Sequence, residues 1–332
     1  MKNHPDTIRK GNSHTSRREQ SMSRPEFQLI DWIRGQVRDR APVTLGIGDD
    51  AACLKPSADR ETLVAIDMLM EGVHFTFPPA TPQLAGRKAL AVNLSDIAAM
   101  AGRPTAAFIS VALPKRRGMD FAKDVHAGLI ELANEHNVIV AGGDTNSWDG
   151  PLVISVTVVG EPLGLRPVCR KGARPGDWIF VTGALGGSLP SGRHLTFPPR
   201  LGEVAQLTSL VDLHAMMDIS DGLAADLHHL LDTSHVGAMI EADQIPLTET
   251  ATRMIDGQSP LIHGLSDGED FELLFAVSPD DGRLLMSDWR NETPVHKIGE
   301  ITEGHGARIR YPDGRIEPLP PLGWTHQLGE NR

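Results

Sequence analysis

Three aspartate-bearing segments, Gly48-Asp49-Asp50, Gly142-Gly143-Asp144-Thr145 and Asp218-Ile219-Ser220-Asp221-Gly222, stand far apart in this chain with almost no basic residues beside them. Carboxylates that a fold gathers repel one another and lose solvation, so a chain that brings such segments into one cleft needs cations there. Hard oxygen ligands of this kind suit Mg²⁺, and Mg²⁺ sites commonly carry phosphates. The fold expected is one that draws these distant acids into a single pocket between domains.

Charge bears directly on that demand. The net charge of -11 at pH 7 argues against a nucleic-acid partner held by a basic field, and it makes a phosphate ligand bound without metal ions a poor fit. The 332 residues suffice for about two domains with ample core. Cys53 and Cys169 follow no chelating or redox spacing, so the expectation is buried free thiols in a reducing compartment.

Residues 1–24 are polar and basic with no apolar run that could serve as a signal-peptide core, and they read as a disordered tail in which Met22 offers a second start. No stretch of roughly 18 apolar residues suggests a membrane span, so the default location is cytoplasmic.

Leu29, Ile30 and Ile33 have helical spacing. Thr62-Leu-Val-Ala-Ile-Asp67 reads as a buried strand ending on its acid, with Gly72-Val73-His74-Phe75 close behind. From Pro82 to Met100, Leu90, Leu94 and Ile97 mark one face of a helix, with Asn93 and Asp96 on a neighbouring face. A strand over Ala106 to Leu113, a helix over Asp120 to His136, and a strand over Val138 to Ala141 entering a Gly-Gly-Asp turn follow. Pro151 to Val159 is the next strand. Turn formers cluster over Gly160 to Gly176, which places a domain border near residue 165, and a fresh strand starts at Trp178. Beyond it come a helix over Ser220 to Leu231 and strands near Ala238 to Ile240 and Phe271 to Val277.

The glycines have two readings. Gly-Gly-Asp-Thr after a strand lets backbone N–H groups approach a phosphate, but it also serves as plain punctuation. Ser220 or Asp221 equally suits the cap of the following helix. Joint occurrence of these segments favours the functional reading.

Taken together, the motifs resemble the thiamine-monophosphate kinase family, within the superfamily that also holds aminoimidazole ribonucleotide synthetase. The resemblance runs through Gly46-Ile-Gly-Asp-Asp50, Asp67 to Phe75, Lys88-Ala-Leu-Ala-Val-Asn-Leu-Ser-Asp96, Gly142 to Thr145, Arg170 to Gly183, Asp218 to Leu223 and Gly268-Glu269-Asp270-Phe271-Glu272-Leu273. It implies a two-domain α+β fold, with an N-terminal metal- and ATP-binding domain over 25–165 and a C-terminal α+β domain over 166–332. It also implies a homodimer whose N-terminal sheets pair. The implied reaction is phosphorylation of thiamine monophosphate by ATP and Mg²⁺. The acceptor is already mostly a dianion near pH 7, since its second pKa is about 6, so no general base is expected.

Carried over by position, Asp50, Asp67, Asp96, Asp144, Asp218 and Asp221 correspond to metal ligands. Gly143, Asp144, Arg170 and Ser220 correspond to ATP contacts, and His74, Glu269 and Trp324 to substrate contacts. Taken singly, the last three would pass as a turn histidine, a surface acid and a packing residue. Three departures mark a divergent member: Ala65-Ile66 replaces a Ser/Thr pair before Asp67, Asp267 stands where the family has glycine, and after Gly183-Ala-Leu-Gly-Gly-Ser188 the chain goes almost directly to Gly192-Arg193-His194-Leu195 and Pro198-Pro199-Arg200, without the helical stretch usual between these motifs. These leave two alternatives open, a superfamily cousin phosphorylating another small acceptor and a catalytically silent nucleotide-binding relative.

Overall fold

The computed structural model describes residues 25–48 and 51–325; the tail over 1–24 and Asp50 lie outside them. The N-terminal half runs α1 (Pro25–Gln36), β1 (Val43–Leu45), β2 (Cys53–Leu54), β3 (Leu63–Met70), α2 (Pro82–Ala99), β4 (Gly102–Pro114), α3 (Gly118–Glu135), β5 (Ile139–Trp148) and β6 (Val153–Pro162). β3, β6, β4 and β5 form one sheet in that spatial order, with β4 and β5 parallel and the other pairs antiparallel. Thr81 caps α2 by accepting the Leu84 N–H, and Pro82 fits the first helical turn, where its missing donor is not needed.

Helices α2 and α3 cover one face of this sheet. They cross closely enough that a Cβ on Gly86 would lie 1.9 Å from the Val125 carbonyl oxygen, and one on Gly128 would lie 1.9 Å from that of Gln83. Only glycine at both crossing points allows the helices to approach so closely.

The second half continues with β7 (Trp178–Thr182), α4 (Leu201–Leu210), β8 (Leu213–Asp218), α5 (Leu223–Ser234), β9 (Gly237–Glu241), α6 (Pro260–Ser266), β10 (Leu273–Val277), α7 (Pro279–Asp288), β11 (Val295–Thr302), β12 (Gly306–Arg310) and β13 (Ile316–Leu319). Its sheet has the order β13-β12-β9-β11-β7-β10-β8. One core packs α5 against this sheet. A second core joins Ala98, Ala99 and Ala101, at the end of α2, to Phe180, Leu207, Met216 and Phe275. That joint sets the C-terminal end of α2, and so Asp96, beside the end of β8. Between β7 and α4 the chain makes two short helical turns, Ser188–Ser191 and Arg193–Thr196.

Several expectations are corrected. β3 does not stop at Asp67; it stays paired with β6 as far as Met70 opposite Val153, so the acid is mid-strand. Gly142-Gly143-Asp144-Thr145 is not a turn but part of β5, paired with Phe108 to Val111 through an irregularity in register. A Cβ on Gly143 would sit 2.0 Å from the Ile109 carbonyl oxygen, so glycine serves close strand approach there. The helix expected from Ser220 begins at Leu223, with Gly222 as its N-cap. Both cysteines are exposed rather than buried, because Cys53 lies in a two-residue strand at the periphery and Cys169 in the segment linking the sheets. Among the described residues no helix is long and apolar enough to cross a membrane.

Candidate functional site

A cavity of about 240 Å³ between the two halves is lined by Asp67, Asp96, Asp218, Ser220 and Asp221, together with His74, Glu269 and Trp324. Each acid arrives on a different element. Asp67 projects from β3 toward the helices, on the same face as buried Leu63 and Leu69. Asp96 comes from the last turn of α2. Asp218 ends β8 and accepts a hydrogen bond from the Ser95 hydroxyl at 2.6 Å.

The Ser220-Asp221-Gly222 corner is organised from inside the following helix. The Oδ2 atom of Asp226 accepts the backbone N–H groups of Ser220, Asp221 and Gly222 at 3.0, 3.1 and 3.2 Å. Thus the residue that satisfies these donors is Asp226, in the first turn of α5, and neither Ser220 nor Asp221 acts as the cap.

Burial and mutual repulsion dominate the electrostatics. Desolvation, then the charges of Asp218 and Asp67, push the Asp96 carboxyl up to about 8, so it is the protonated partner that donates to Asp67. Burial also raises Asp67 and Asp218, although the Ser95 hydroxyl and the nearby Arg170 charge oppose the rise at Asp218. Asp226 is pushed to about 7 by burial and by Asp218 and Asp221. Such a set is short of positive charge and would be relieved by a divalent cation. Among the described residues no three His, Cys, Asp or Glu side chains are placed to enclose one ion. Mg²⁺ is ordinarily held by one or two carboxylates with phosphate oxygens and water, so the donor set fits that ion better than one needing an all-protein cage.

The remaining cavity residues come from both halves. His74 Nδ1 accepts the Met70 N–H at 3.0 Å, which fixes the ring after β3. Glu269 has φ 56°, within a run where Gly268 and Phe271 are also left-handed, and Ser188 Oγ donates to its carbonyl at 2.6 Å. Buried Asp270 anchors this run by accepting the Gly186 N–H at 2.9 Å. The Trp324 backbone N–H donates to the Asp221 carbonyl at 2.9 Å, which holds the residue at the cavity edge with its side chain exposed.

Asp144 is not in this cavity. β5 pairs Asp144 with Ser110 of β4, whereas Asp67 lies in register, through Val156, with Ile109. Strand alternation therefore sends the two carboxylates to opposite faces, on backbones separated by three strand spacings, roughly 14 Å. Asp144 and Gly143 line a second cavity of about 830 Å³ with Arg34, Gly46, Gly48 and Gly142. The expected single gathering of acids is thus divided, because the irregularity in β5 reverses which side chains face the helices. Arg170 is exposed and near enough to Asp96 and Asp218 to act on both.

Two departures have local explanations. Ile66 points away from Asp67 on the other face of β3, so a hydroxyl at that position would not reach the Asp67 cavity, whereas Ala65 shares the Asp67 face and its missing hydroxyl has no structural explanation. Asp267 adopts an ordinary right-handed helical conformation and needs no glycine; its carboxylate accepts the Gly187 N–H at 2.8 Å and meets His263 Nδ1 at 3.0 Å.

Sequence reasoning missed Lys88, Ser95, Asp226 and Asp267 as structural parts of the site. The available signals were Ser95 next to Asp96, and an acid one helical turn beyond Gly222.

The chain matches the models for the N-terminal domain of AIR synthase related protein over residues 48–161 and for its C-terminal domain over residues 181–312. It is 39% identical over 311 residues to a thiamine-monophosphate kinase of Rhodopirellula baltica, covering 91% of this chain and 97% of the relative. The crystal structure of thiamine-monophosphate kinase from Stenotrophomonas maltophilia K279a superposes with TM-score 0.75 at 34% identity, covering 87% of this chain and 97% of that one. A structure described as AaThiL complexed with AMPPCP and TMP gives TM-score 0.71 at 32% identity, covering 91% and 97%. With motifs, fold and these similarities agreeing over most of its length, the chain belongs to the thiamine-monophosphate kinase family of AIR synthase related proteins.

Proposed function

We propose that this chain is an ATP-dependent thiamine-monophosphate kinase, transferring the γ-phosphoryl group of ATP to the phosphate of thiamine monophosphate with release of ADP and thiamine diphosphate. The observation that carries this reading is the acid-lined interdomain cavity, with His74, Glu269 and Trp324 on its walls. Both reactants are polyanions, so the task is to bring them together rather than to remove a proton. Mg²⁺, when bound, supplies the positive charge between them.

Asp67, Asp96, Asp218 and Asp221 are assigned to Mg²⁺ in the interdomain cavity; Asp144, which lines the second cavity, and Asp50, outside the described residues, keep the metal-ligand assignment that the family resemblance implies. Gly143, Ser220 and Arg170 are the proposed nucleotide contacts, Arg170 because a guanidinium matches phosphate oxygens. The Trp324 indole offers a flat face to the cationic thiazolium ring. His74 and Glu269 complete the substrate wall.

A homodimer and a cytoplasmic setting belong to the same proposal. Val64, Ile66 and Met68 form an exposed apolar row on β3, an edge strand, and such a row favours burial against a second copy. The domain border is proposed near residue 165, in the segment between β6 and β7.

The test is incubation of purified protein with ATP, Mg²⁺ and thiamine monophosphate, reading thiamine diphosphate by chromatography. Product that forms with Mg²⁺ and disappears with chelator supports the assignment. Absence of product across a magnesium titration would overturn it.

A further inference from the structure

Lys88 lies on α2 about two turns before Asp96 and is 1% exposed, yet it lines the interdomain cavity. Its ammonium donates to the His74 carbonyl at 2.8 Å and to the Glu269 carboxylate. It therefore ties the segment after β3 to the left-handed run before β10, one from each half of the molecule. An ammonium carries three donors, and two have partners among the described residues. Among the described residues lining the cavity, Lys88 is also the only lysine or arginine, against the carboxylates of Asp67, Asp96, Asp218, Asp221, Asp267 and Glu269.

A buried lysine paired with one glutamate is a weak source of stability, because desolvation offsets most of the attraction. It is a strong anion site once a better anion arrives. Glu269 is 24% exposed on its side chain, so it is able to turn away while Lys88 stays in place. We propose that Lys88 is the ligand of the acceptor's phosphate, its ammonium exchanging Glu269 for the phosphate monoester. The freed Glu269 carboxylate then faces the cationic part of the same substrate. This inference rests on the kinase reading above and adds a residue that contacts the acceptor directly.

The experiment compares calorimetric binding of thiamine monophosphate and of thiamine, which lacks the phosphate, to the wild-type protein and to Lys88→Met and Lys88→Gln. Loss of a charge-assisted hydrogen bond predicts a roughly 10- to 100-fold weaker affinity for thiamine monophosphate, with thiamine affinity much less affected. If both ligands weaken equally, or neither does, Lys88 only supports the fold and the proposal is wrong.

A second measurement needs no variant. In wild-type protein carrying ¹⁵N-labelled lysine, solid-state NMR should show dipolar coupling between the ³¹P of bound thiamine monophosphate and a lysine ammonium, because Lys88 is the only lysine among the described residues lining the cavity. Bound ligand without that coupling would overturn the proposal even where both variants fail to fold. A wild-type protein that binds neither ligand would instead defeat the kinase reading, and this inference with it.

Discussion

Asp96 concentrates the electrostatic tension of the site, since its carboxyl is pushed up to about 8 by burial and by Asp218 and Asp67. A carboxyl raised in the folded state keeps a proton that the unfolded chain gives up near pH 4, so its stabilising effect is present at low pH and is lost as pH rises toward 8. Asp226 and Asp270, both near 7, act in the same direction. In chelator, the melting temperature is expected to fall by a few degrees between pH 6 and pH 8.5, and Mg²⁺ should restore more of it at the higher pH; differential scanning calorimetry at both values checks the sign. Asp226 has a second role, as acceptor for three backbone donors beside Asp218. Asp226→Ala should lower stability by about 2–3 kcal/mol in denaturant titration and weaken Mg²⁺ activation, with Asp226→Asn losing less because an amide oxygen still accepts.

The elements decide where these acids point. Strand β3 was legible from its apolar run, but its continuation past Asp67 was not, because that depends on the Met70 pairing with Val153. In β5 two glycines before an acid suggest a turn from sequence alone. Their actual purpose is tertiary: Gly143 lets β5 lie against the Ile109 backbone. Gly143→Ala should therefore destabilise the protein by about 1–3 kcal/mol and raise the KM for ATP. Gly142→Ala, whose nearest neighbour is the Phe108 ring at 3.2 Å, should be better tolerated. Parallel melting curves and ATP titrations of the two variants test that ranking. Helix α2 shows the same division of information, since its apolar spacing marked the helix while its contact with Phe180 and Phe275 sets where Asp96 ends up.

Across the whole molecule, the exposed row Val64, Ile66 and Met68 bears on assembly. If the proposed homodimer forms through this row, replacing Ile66 and Met68 with Glu is expected to shift sedimentation from dimer to monomer, because the introduced charges would be buried against their copies; unchanged sedimentation would remove this row from the proposed interface. The sequence by itself determined most of the element types, the family and which acids, Asp67, Asp96, Asp218 and Asp221, to look for in one cavity, since apolar periodicity and ordered motifs are local and survive without coordinates. Only the tertiary structure decided that Asp144 stands on the other face of the sheet from Asp67, that Asp226 organises the loop before α5, and that Lys88 joins the two halves. Each of those depends on strand register or on packing between segments far apart in the chain. Such contacts leave no period in the sequence, because the partners are chosen by how the sheets and helices fit and not by the residues next to them.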